Sequence, residues 1–247
     1  MSADDELHVI ELVRKMDEGS TQPFLCRCND DQLYVVKSTA SMPRIELIHE
    51  ITASILAQSI DLPIPDFKIV YVSDDFVEYL PTLYKGGISS GYAYASKFIE
   101  DSATINFGLA HEAIDIQKQK LIYLFDRLVN NSDRNLSKQG GNVNIIYNYK
   151  KQRYYLIDHN LAFDSECTLS QFDYHVFSPR HRDWVFDMLD CENVVDIVST
   201  LKKKLTESIS SLPSDWANEL PDKDAALNNI TSLIDRGFNQ EFRSTIV

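Results

Sequence analysis

The stretch "NNSDRNLSKQGGNVNIIYN", residues 130–148, separates the most strongly helical segment of the chain from a predicted β-hairpin. It holds one Asp-Arg pair, many amide side chains and two adjacent glycines before a short apolar run. A plain turn needs only a few such residues. A polar stretch of this length between two apolar elements therefore predicts a loop that carries functional side chains.

The segments on either side of this stretch have clear periodicity. Upstream, "HEAIDIQKQKLIYLFDRLVNN" places its apolar residues at helical spacing. Downstream, "VNIIYNYKKQRYYLIDHN" predicts a hairpin with Lys-Lys-Gln at its turn, and the pattern is helical again from Trp184 onward. The helical stripe upstream consists of Ile114, Leu121, Phe125 and Leu128.

The N-terminal part is predicted to contain mainly strands. "PFLCRCNDDQLYVVKS" predicts a hairpin whose second strand ends at Lys37, and "FKIVYV" predicts a further strand. One helix is predicted over "PRIELIHEITASILAQSI", which the prolines of "DLPIPDF" end. Residues 7–16 suit a helix or a strand equally. The expected fold class is α+β with two lobes, a small strand-rich N-lobe over residues 1–100 and a larger helical C-lobe over residues 101–247.

Composition narrows the functional classes. The chain of 247 residues is 44% apolar and 25% charged, which is typical of a globular protein. Its net charge of −13 argues against non-specific nucleic-acid binding, because phosphate would be repelled. No apolar run is long enough to span a membrane, and the N-terminus lacks a signal-peptide core, so a cytoplasmic protein is expected. Cys26 and Cys28 share one face of a strand, and reduced structural thiols are predicted because further zinc ligands are not evident.

Several side chains fit the needs of phosphoryl transfer, which requires a lysine at the phosphates, hard oxygen ligands for Mg²⁺ and a group that orients the acceptor hydroxyl. Lys37 ends an apolar strand, and Glu50 lies thirteen residues later on the next helix, where it could hold the lysine. Each of the two could instead be an ordinary solvated charge. Upstream, Gly19, Ser20 and Thr21 could form a phosphate-covering loop or an ordinary turn.

The remaining candidates follow the long predicted helix. Asp133 lies just past the helix, where a carboxylate can orient a hydroxyl proton. Asn142 and Asn144 follow the double glycine, and either could give an amide oxygen to a metal. Asp158 ends an apolar strand, where it could hold a cation or simply cap a turn. The order of these elements along the chain favours a phosphotransferase.

Four segments together resemble the HipA-like kinases: "GSTQPFLCRC…QLYVVK", "HEITASILAQSIDLPIPDF", "FDRLVNNSDRN…NVNIIY" and "YYLIDHNLAF". The chain is most similar to the compact members of that family. The resemblance covers roughly residues 15–220. It implies a two-lobed Ser/Thr protein-kinase-like fold that uses ATP and Mg²⁺.

The resemblance also implies roles for individual residues. Lys37 would contact the ATP phosphates and Glu50 would pair with it, while Asp133 would be the catalytic acid residue beside the acceptor hydroxyl. Asn142 and Asp158 would be the metal ligands. The adenine-contacting connector would consist of Lys97, Phe98, Ile99 and Glu100.

Members of the family can phosphorylate their own phosphate loop, and the resemblance implies that Gly19 belongs to this loop and that Ser20 and Thr21 are its acceptor hydroxyls. The chain departs from the family pattern at one place, because Lys138 stands where the metal-binding Asn is usually found. The "N-x-N" element comes later, after an apparent insertion. Asn142 is therefore assigned as the metal ligand and Asn144 as its neighbour, and Asn135 is kept as an alternative ligand.

Three functions remain open at this stage. The chain could be an active Ser/Thr protein kinase, or a pseudokinase or nucleotide-binding module in a regulatory or toxin–antitoxin system, or a kinase for a small molecule. Together Lys37, Glu50, Asp133 and Asp158 favour catalysis. By analogy with relatives, the expected partners are a protein substrate such as a translation component and an antitoxin or other regulatory protein, with neither nucleic acid nor membrane bound directly.

Overall fold

A five-stranded antiparallel sheet forms the N-terminal part of the chain in the computed structural model, which describes residues 6–16, 22–135 and 141–246. The strand order is β1-β2-β3-β5-β4. Leu7 and His8 also bond to Tyr71 at the other edge, so the two outer strands approach each other at one end of the sheet. The strands are β1 (Val9–Lys15), β2 (Phe24–Cys28), β3 (Leu33–Lys37), β4 (Phe67–Val72) and β5 (Gly91–Lys97).

The two-residue period of β3 decides where Lys37 points. Tyr34 and Val36 are buried in an apolar cluster on one face of the sheet, together with Cys26 and Cys28. Because successive side chains alternate between faces, Val35 and Lys37 face the opposite side. The first predicted hairpin is therefore confirmed, and residues 9–15, which suited two interpretations, form a strand. Burial raises the pKa of both cysteine thiols to about 12, which agrees with structural thiols.

Two helices accompany this sheet, where the sequence predicted one. The predicted helix is α1 (Arg44–Ser59), and the additional one is the short α2 (Asp74–Glu78), which begins where Ser73 accepts a hydrogen bond from the Phe76 N–H. Apolar residues of α1 lie in the same core as the helices that follow later in the chain. The helix thus joins the sheet to the rest of the molecule.

The C-terminal part contains six helices and a three-stranded sheet in the order β6-β7-β8, within the part of the chain that the structure covers. Short 3₁₀ segments lie at Leu169–Tyr174 and Arg236–Phe238. The strands are β6 (Ser102–Thr104), β7 (Ile145–Asn148) and β8 (Arg153–Leu156), and the helices are α3 (Phe107–Ala113), α4 (Ile116–Leu128), α5 (Met188–Ser210), α6 (Ser214–Asn218), α7 (Lys223–Asp235) and α8 (Gln240–Ser244).

The long helix predicted around residues 111–131 is in fact interrupted. The chain leaves helical geometry at Ile114, and Asp115 caps a new helix by accepting a hydrogen bond from the Lys118 N–H. An N-cap carboxylate satisfies N–H groups that have no partner within the helix. The second predicted hairpin, β7 and β8, is confirmed. No helix among the described residues has the length and apolarity needed to cross a membrane.

One large apolar core lies beneath the functional elements. It includes Ile48 and Leu56 of α1, Phe125 of α4, Leu156 of β8 and Leu201 of α5. Helix α1 packs directly on α5 and α6. The expected lobe boundary near residue 100 falls between the end of β5 and the start of β6, and the division into two domains stays a prediction.

Candidate active site

Lys37 is the centre of a buried charge cluster at the junction of the sheet and the helical part. Its Nζ lies 2.8 Å from Glu50 Oε2 on α1 and 2.7 Å from Asp158 Oδ1 after β8. Burial opposes the charged ammonium, but the Glu50 and Asp158 carboxylates outweigh it and raise the pKa of Lys37. The structure therefore brings together three of the predicted site residues, and the lysine is charged at neutral pH.

Asp158 is held in an unusual backbone conformation. Its φ of 62° lies in the left-handed region, which residues with a side chain rarely adopt. The following N–H, of His159, donates to Glu50 Oε2 at 3.1 Å, and the Ile157 N–H donates to the Asn144 carbonyl at 3.0 Å. Burial would raise the pKa of the Asp158 carboxyl, but the neighbouring Lys37 ammonium lowers it. The carboxylate is thus ionised and turned towards Lys37.

Asp133 lies beside this cluster on the loop after α4. Its Oδ2 accepts a hydrogen bond of 2.8 Å from the Asn144 side-chain amide. Burial raises the pKa of Asp133, and the nearby Asp158 carboxylate raises it further, whereas the Asn144 hydrogen bond lowers it. Asn144 links the two acids, because its side chain donates to Asp133 and its carbonyl accepts from the N–H of Ile157, the residue before Asp158.

The described residues on either side of positions 136–140 meet in a narrow neck. Arg134 and Asn142 form an isolated bridge, and a Cβ at Gly141 would lie 2.5 Å from the Asn135 carbonyl oxygen. Gly141 also has φ 146°. Only glycine permits this approach without displacing the backbone. The neck therefore brings Asp133 and Asn144 together despite the residues inserted between them.

The three amide candidates for a metal ligand have different surroundings. Asn142 Oδ1 accepts a hydrogen bond of 2.9 Å from the Asn144 N–H, which orders the turn into β7. Asn135 donates its amide to the Ser132 carbonyl at 3.1 Å. Asn144 is buried and donates to Asp133, and no described residue donates to its Oδ1. The unbonded Oδ1 favours Asn144, whereas Asn142 lines the same cavity as Asp158, so the assignment of Asn142 stays a prediction.

A cavity of about 380 Å³ lies next to the charge cluster, between the sheet and the β7–β8 hairpin. Lys37, Glu50 and Asp158 line it. Three of the four predicted connector residues, Lys97, Phe98 and Ile99, also line the cavity. The fourth, Glu100, does not line it, and its carbonyl accepts a hydrogen bond of 2.7 Å from Asn148 Nδ2. The predicted phosphate loop, Gly19, Ser20 and Thr21, lies outside the described residues.

A buried guanidinium that the sequence did not single out supports the loop. Arg134 is fully buried and donates to Asp126 Oδ2 at 2.8 Å and to the Asn144 carbonyl at 2.6 Å. It also contacts His159 Nε2 at 3.2 Å. Burial, with Arg134 adding to it, lowers the pKa of His159 to about 3, so the ring is neutral and accepts this bond. Arg134 thereby joins the three segments that carry Asp133, Asn144 and Asp158.

Asp126 is the anion that balances Arg134. Burial raises its pKa, but Arg134 and a hydrogen bond from His175 outweigh burial and lower it. His175 Nδ1 accepts from the Phe177 N–H, so its Nε2 carries the proton and donates to Asp126 Oδ2 at 2.9 Å. The sequence signal for this network was an acid, Asp126, within an apolar helix, and the Arg of the Asp-Arg pair.

Replacing Arg134 with alanine is expected to lower the free energy of unfolding by about 3–5 kcal/mol, because it leaves the Asp126 carboxylate buried without its cation. Denaturant unfolding followed by fluorescence measures this change. The matched control is Arg180→Ala, which removes an exposed ion pair with Asp173 and is expected to change stability by about 0–1 kcal/mol. Equal effects of the two variants would contradict the structural role of Arg134.

The donor set fits a hard cation that also binds phosphate. Within residues 6–16, 22–135 and 141–246, no three His, Cys, Asp or Glu side chains are grouped to hold a metal ion by themselves. Mg²⁺ usually takes only one or two carboxylates from a protein and completes its shell with water and phosphate oxygens. One carboxylate, Asp158, and one amide, Asn144, are therefore a suitable protein contribution.

Solved structures share this architecture. The Helicobacter pylori proinflammatory kinase CtkA superposes with a TM-score of 0.53 at 10% identity, covering 97% of this chain and 95% of that one. The Golgi casein kinase with Mn/ADP bound gives a TM-score of 0.54 at 13% identity, covering 97% of this chain and 72% of that one. At such identities the similarity establishes the fold alone. No curated protein sequence matches the chain significantly.

The strand-rich N-terminal sheet and the helical C-terminal part have the architecture of protein kinases, and together with the family match they support a phosphotransferase of the kinase class. The model of the HipA-like kinase family matches residues 9–246. The chain belongs to the HipA-like kinase family, which confirms the resemblance found in the sequence.

Proposed function

We propose that the protein is an ATP- and Mg²⁺-dependent Ser/Thr protein kinase. The observation that carries this proposal is the convergence of Lys37, Glu50 and Asp158 in the lining of one cavity of about 380 Å³, with Asp133 joined to the Asp158 segment through Asn144. A structural neighbour of the same fold was solved with Mn/ADP bound, which supports a nucleotide and a divalent metal here. Phosphoryl transfer needs little else from the protein than such positioned charges.

Each residue of the cluster would have a separate task. Lys37, held by Glu50, would contact the nucleotide phosphates, and the connector Lys97–Ile99 would lie along the base. Asp158 and Asn144 would hold Mg²⁺, which when bound neutralises charge on the β- and γ-phosphates. Asp133, which Asn144 orients, would accept or direct the proton of the acceptor hydroxyl.

The assay for this proposal uses the purified chain with γ-labelled ATP, Mg²⁺ and polypeptide acceptors such as casein, and wild-type protein is expected to label polypeptide. Binding of ATP without transfer of label would favour a regulatory nucleotide-binding module. Transfer only to sugars, lipids or antibiotics would favour a small-molecule kinase. Either of these results would overturn the assignment as a Ser/Thr protein kinase.

We also expect the kinase to modify its own predicted phosphate loop at Ser20 or Thr21. A phosphate there would add nearly two negative charges and repel the phosphates of ATP. Mass mapping of protein expressed as wild type and as Asp133→Ala measures this modification. Phosphate at either residue in both forms would show that another kinase adds it, and its absence from the active wild type would show that the loop is not a substrate.

A further inference from the structure

Helix α1 contacts the chain beyond Asp158 through three side chains, only one of which belongs to the lysine cluster. Glu50 accepts from the His159 N–H at 3.1 Å. One turn earlier, Glu46 Oε2 accepts a hydrogen bond of 2.7 Å from Asn160 Nδ2. The His49 ring meets the Phe163 ring edge-on, with 5.4 Å between the ring centroids. Residues 159–163 are therefore held against one face of α1 by these contacts.

The backbone of this segment needs such support. Asp158 and Phe163 both have φ 62°, in the left-handed region. A non-glycine residue persists there only when its surroundings hold it in place. Asn160 lies between the two and is buried. The contacts from α1 are thus positioned to maintain the turn that directs the Asp158 carboxylate.

The Glu46 carboxylate has one described side-chain partner, the Asn160 amide. In the described part of the chain it has no cationic partner, and its hydrogen bond to Asn160 is charge-assisted and hence stronger than one between neutral groups. Residues four apart lie on the same helical face, so Glu46 and Glu50 act side by side. Glu50 holds Lys37, and Glu46 holds the chain two residues beyond Asp158.

The helix that carries these acids is itself fixed. Its buried residues, including Leu47 and Ile51, lie in the main core, and it packs on α5 and α6. Arg44 at its first turn also pairs with Glu219 at the end of α6. Helix α1 is therefore held in place by the core and can support the segment that follows Asp158.

We propose that Glu46 and Asn160 are positioning residues for metal-nucleotide binding. Their hydrogen bond fixes the left-handed turn at Asp158 and so directs its carboxylate towards the cation. The inference rests on the proposed function, because it assumes that Asp158 is a metal ligand. Neither residue touches the cavity that receives the nucleotide.

The test is a charge-exchange cycle. Asn160→Asp places two carboxylates against each other, and Glu46→Gln removes the charge-assisted bond. The double variant restores a bond, because the amide introduced at position 46 can donate to the carboxylate introduced at position 160. The matched controls are Asn193→Asp and Glu112→Gln, which make the same chemical changes at exposed helical positions without hydrogen-bond partners among the described residues. All five variants are compared as full-length protein.

Two measurements separate positioning from general stability. Amide hydrogen exchange of residues 157–163 in nucleotide-free protein reports the turn itself, and calorimetry of Mn²⁺–ADP reports metal-nucleotide binding. For Asn160→Asp we expect faster exchange confined to this segment and about tenfold weaker Mn²⁺–ADP binding, as is typical when a partner supporting a metal ligand is lost. The double variant is expected to recover both properties, and the controls to behave as wild type.

The outcomes distinguish this inference from the function on which it rests. If wild type binds Mn²⁺–ADP and Asn160→Asp binds it equally well, or if the double variant is no better than Asn160→Asp, the positioning role is wrong. If wild type does not bind Mn²⁺–ADP at all, the proposed function fails first. The exchange data would then still show whether Glu46 holds the turn.

Discussion

Replacing Asp133 with alanine is expected to reduce phosphoryl transfer about 10²–10⁴-fold, the range typical for removal of a general base. Asp133 stands beside the Asp158–Lys37 cluster, and the Asn144 amide orients its carboxylate. The variant removes no apolar core contact, and Asn144 keeps its bond to the Asp133 carbonyl oxygen at 3.5 Å. Single-turnover transfer from labelled ATP measures the chemical step.

The matched control for this variant is Asp183→Ala, which removes an exposed carboxylate without a described partner. It is expected to keep wild-type activity. Nucleotide affinity and the thermal unfolding midpoint should change little in Asp133→Ala. Wild-type transfer by Asp133→Ala would show that another group orients the acceptor hydroxyl and would remove Asp133 from the site.

Replacing Asp158 with alanine is expected to lower transfer about 10³-fold, because a bound metal ion supplies several kcal/mol of transition-state stabilisation. Lys37 keeps its 2.8 Å bond to Glu50, so the lysine stays in place. The variant should therefore bind ADP in the absence of metal as wild type does, but lose the gain in affinity that Mg²⁺ gives. Calorimetry with and without Mg²⁺ measures both quantities.

Alanine variants of Asn142 and Asn144 show which of the two amides binds the metal ion together with Asp158. If Asn144 is the second ligand, Asn144→Ala should share the Mg²⁺ defect of Asp158→Ala, and Asn142→Ala should show a smaller one through the turn that it orders. The reverse ranking would support Asn142 as the second ligand. An undiminished Mg²⁺ effect in Asp158→Ala would show that the cation is held elsewhere.

The elements that sequence periodicity predicted well are those with a strong local signal. The apolar run "LYVVK" predicts a strand that ends at Lys37, and the structure has this strand, with Lys37 on the face opposite the buried Tyr34 and Val36. The helix that carries Glu50 and the hairpin that ends at Asp158 follow from similar patterns. The family resemblance added the pairing of these residues across the fold, which no local pattern contains.

Other features depend on contacts between distant parts of the chain. The network of Asp126, Arg134 and His175 joins three segments, and its members look like ordinary polar residues in sequence. The break before Asp115 was missed because helical spacing continues across it, while the capping carboxylate interrupts the helix locally. The choice between Asn142 and Asn144 stays a prediction, because it depends on hydrogen-bond directions and cavity lining that spacing alone does not contain.

The contact between Gly141 and Asn135 has a practical consequence for recognising related chains and for engineering this one. Because the two stretches of chain that flank residues 136–140 already meet, the number of residues between them need not affect the relative positions of Asp133 and Asn144. Search patterns written with a fixed interval between acid and amide would overlook such sequences. The contact is therefore expected to keep Asp133 and Asn144 together when the number of residues between Asn135 and Gly141 is changed.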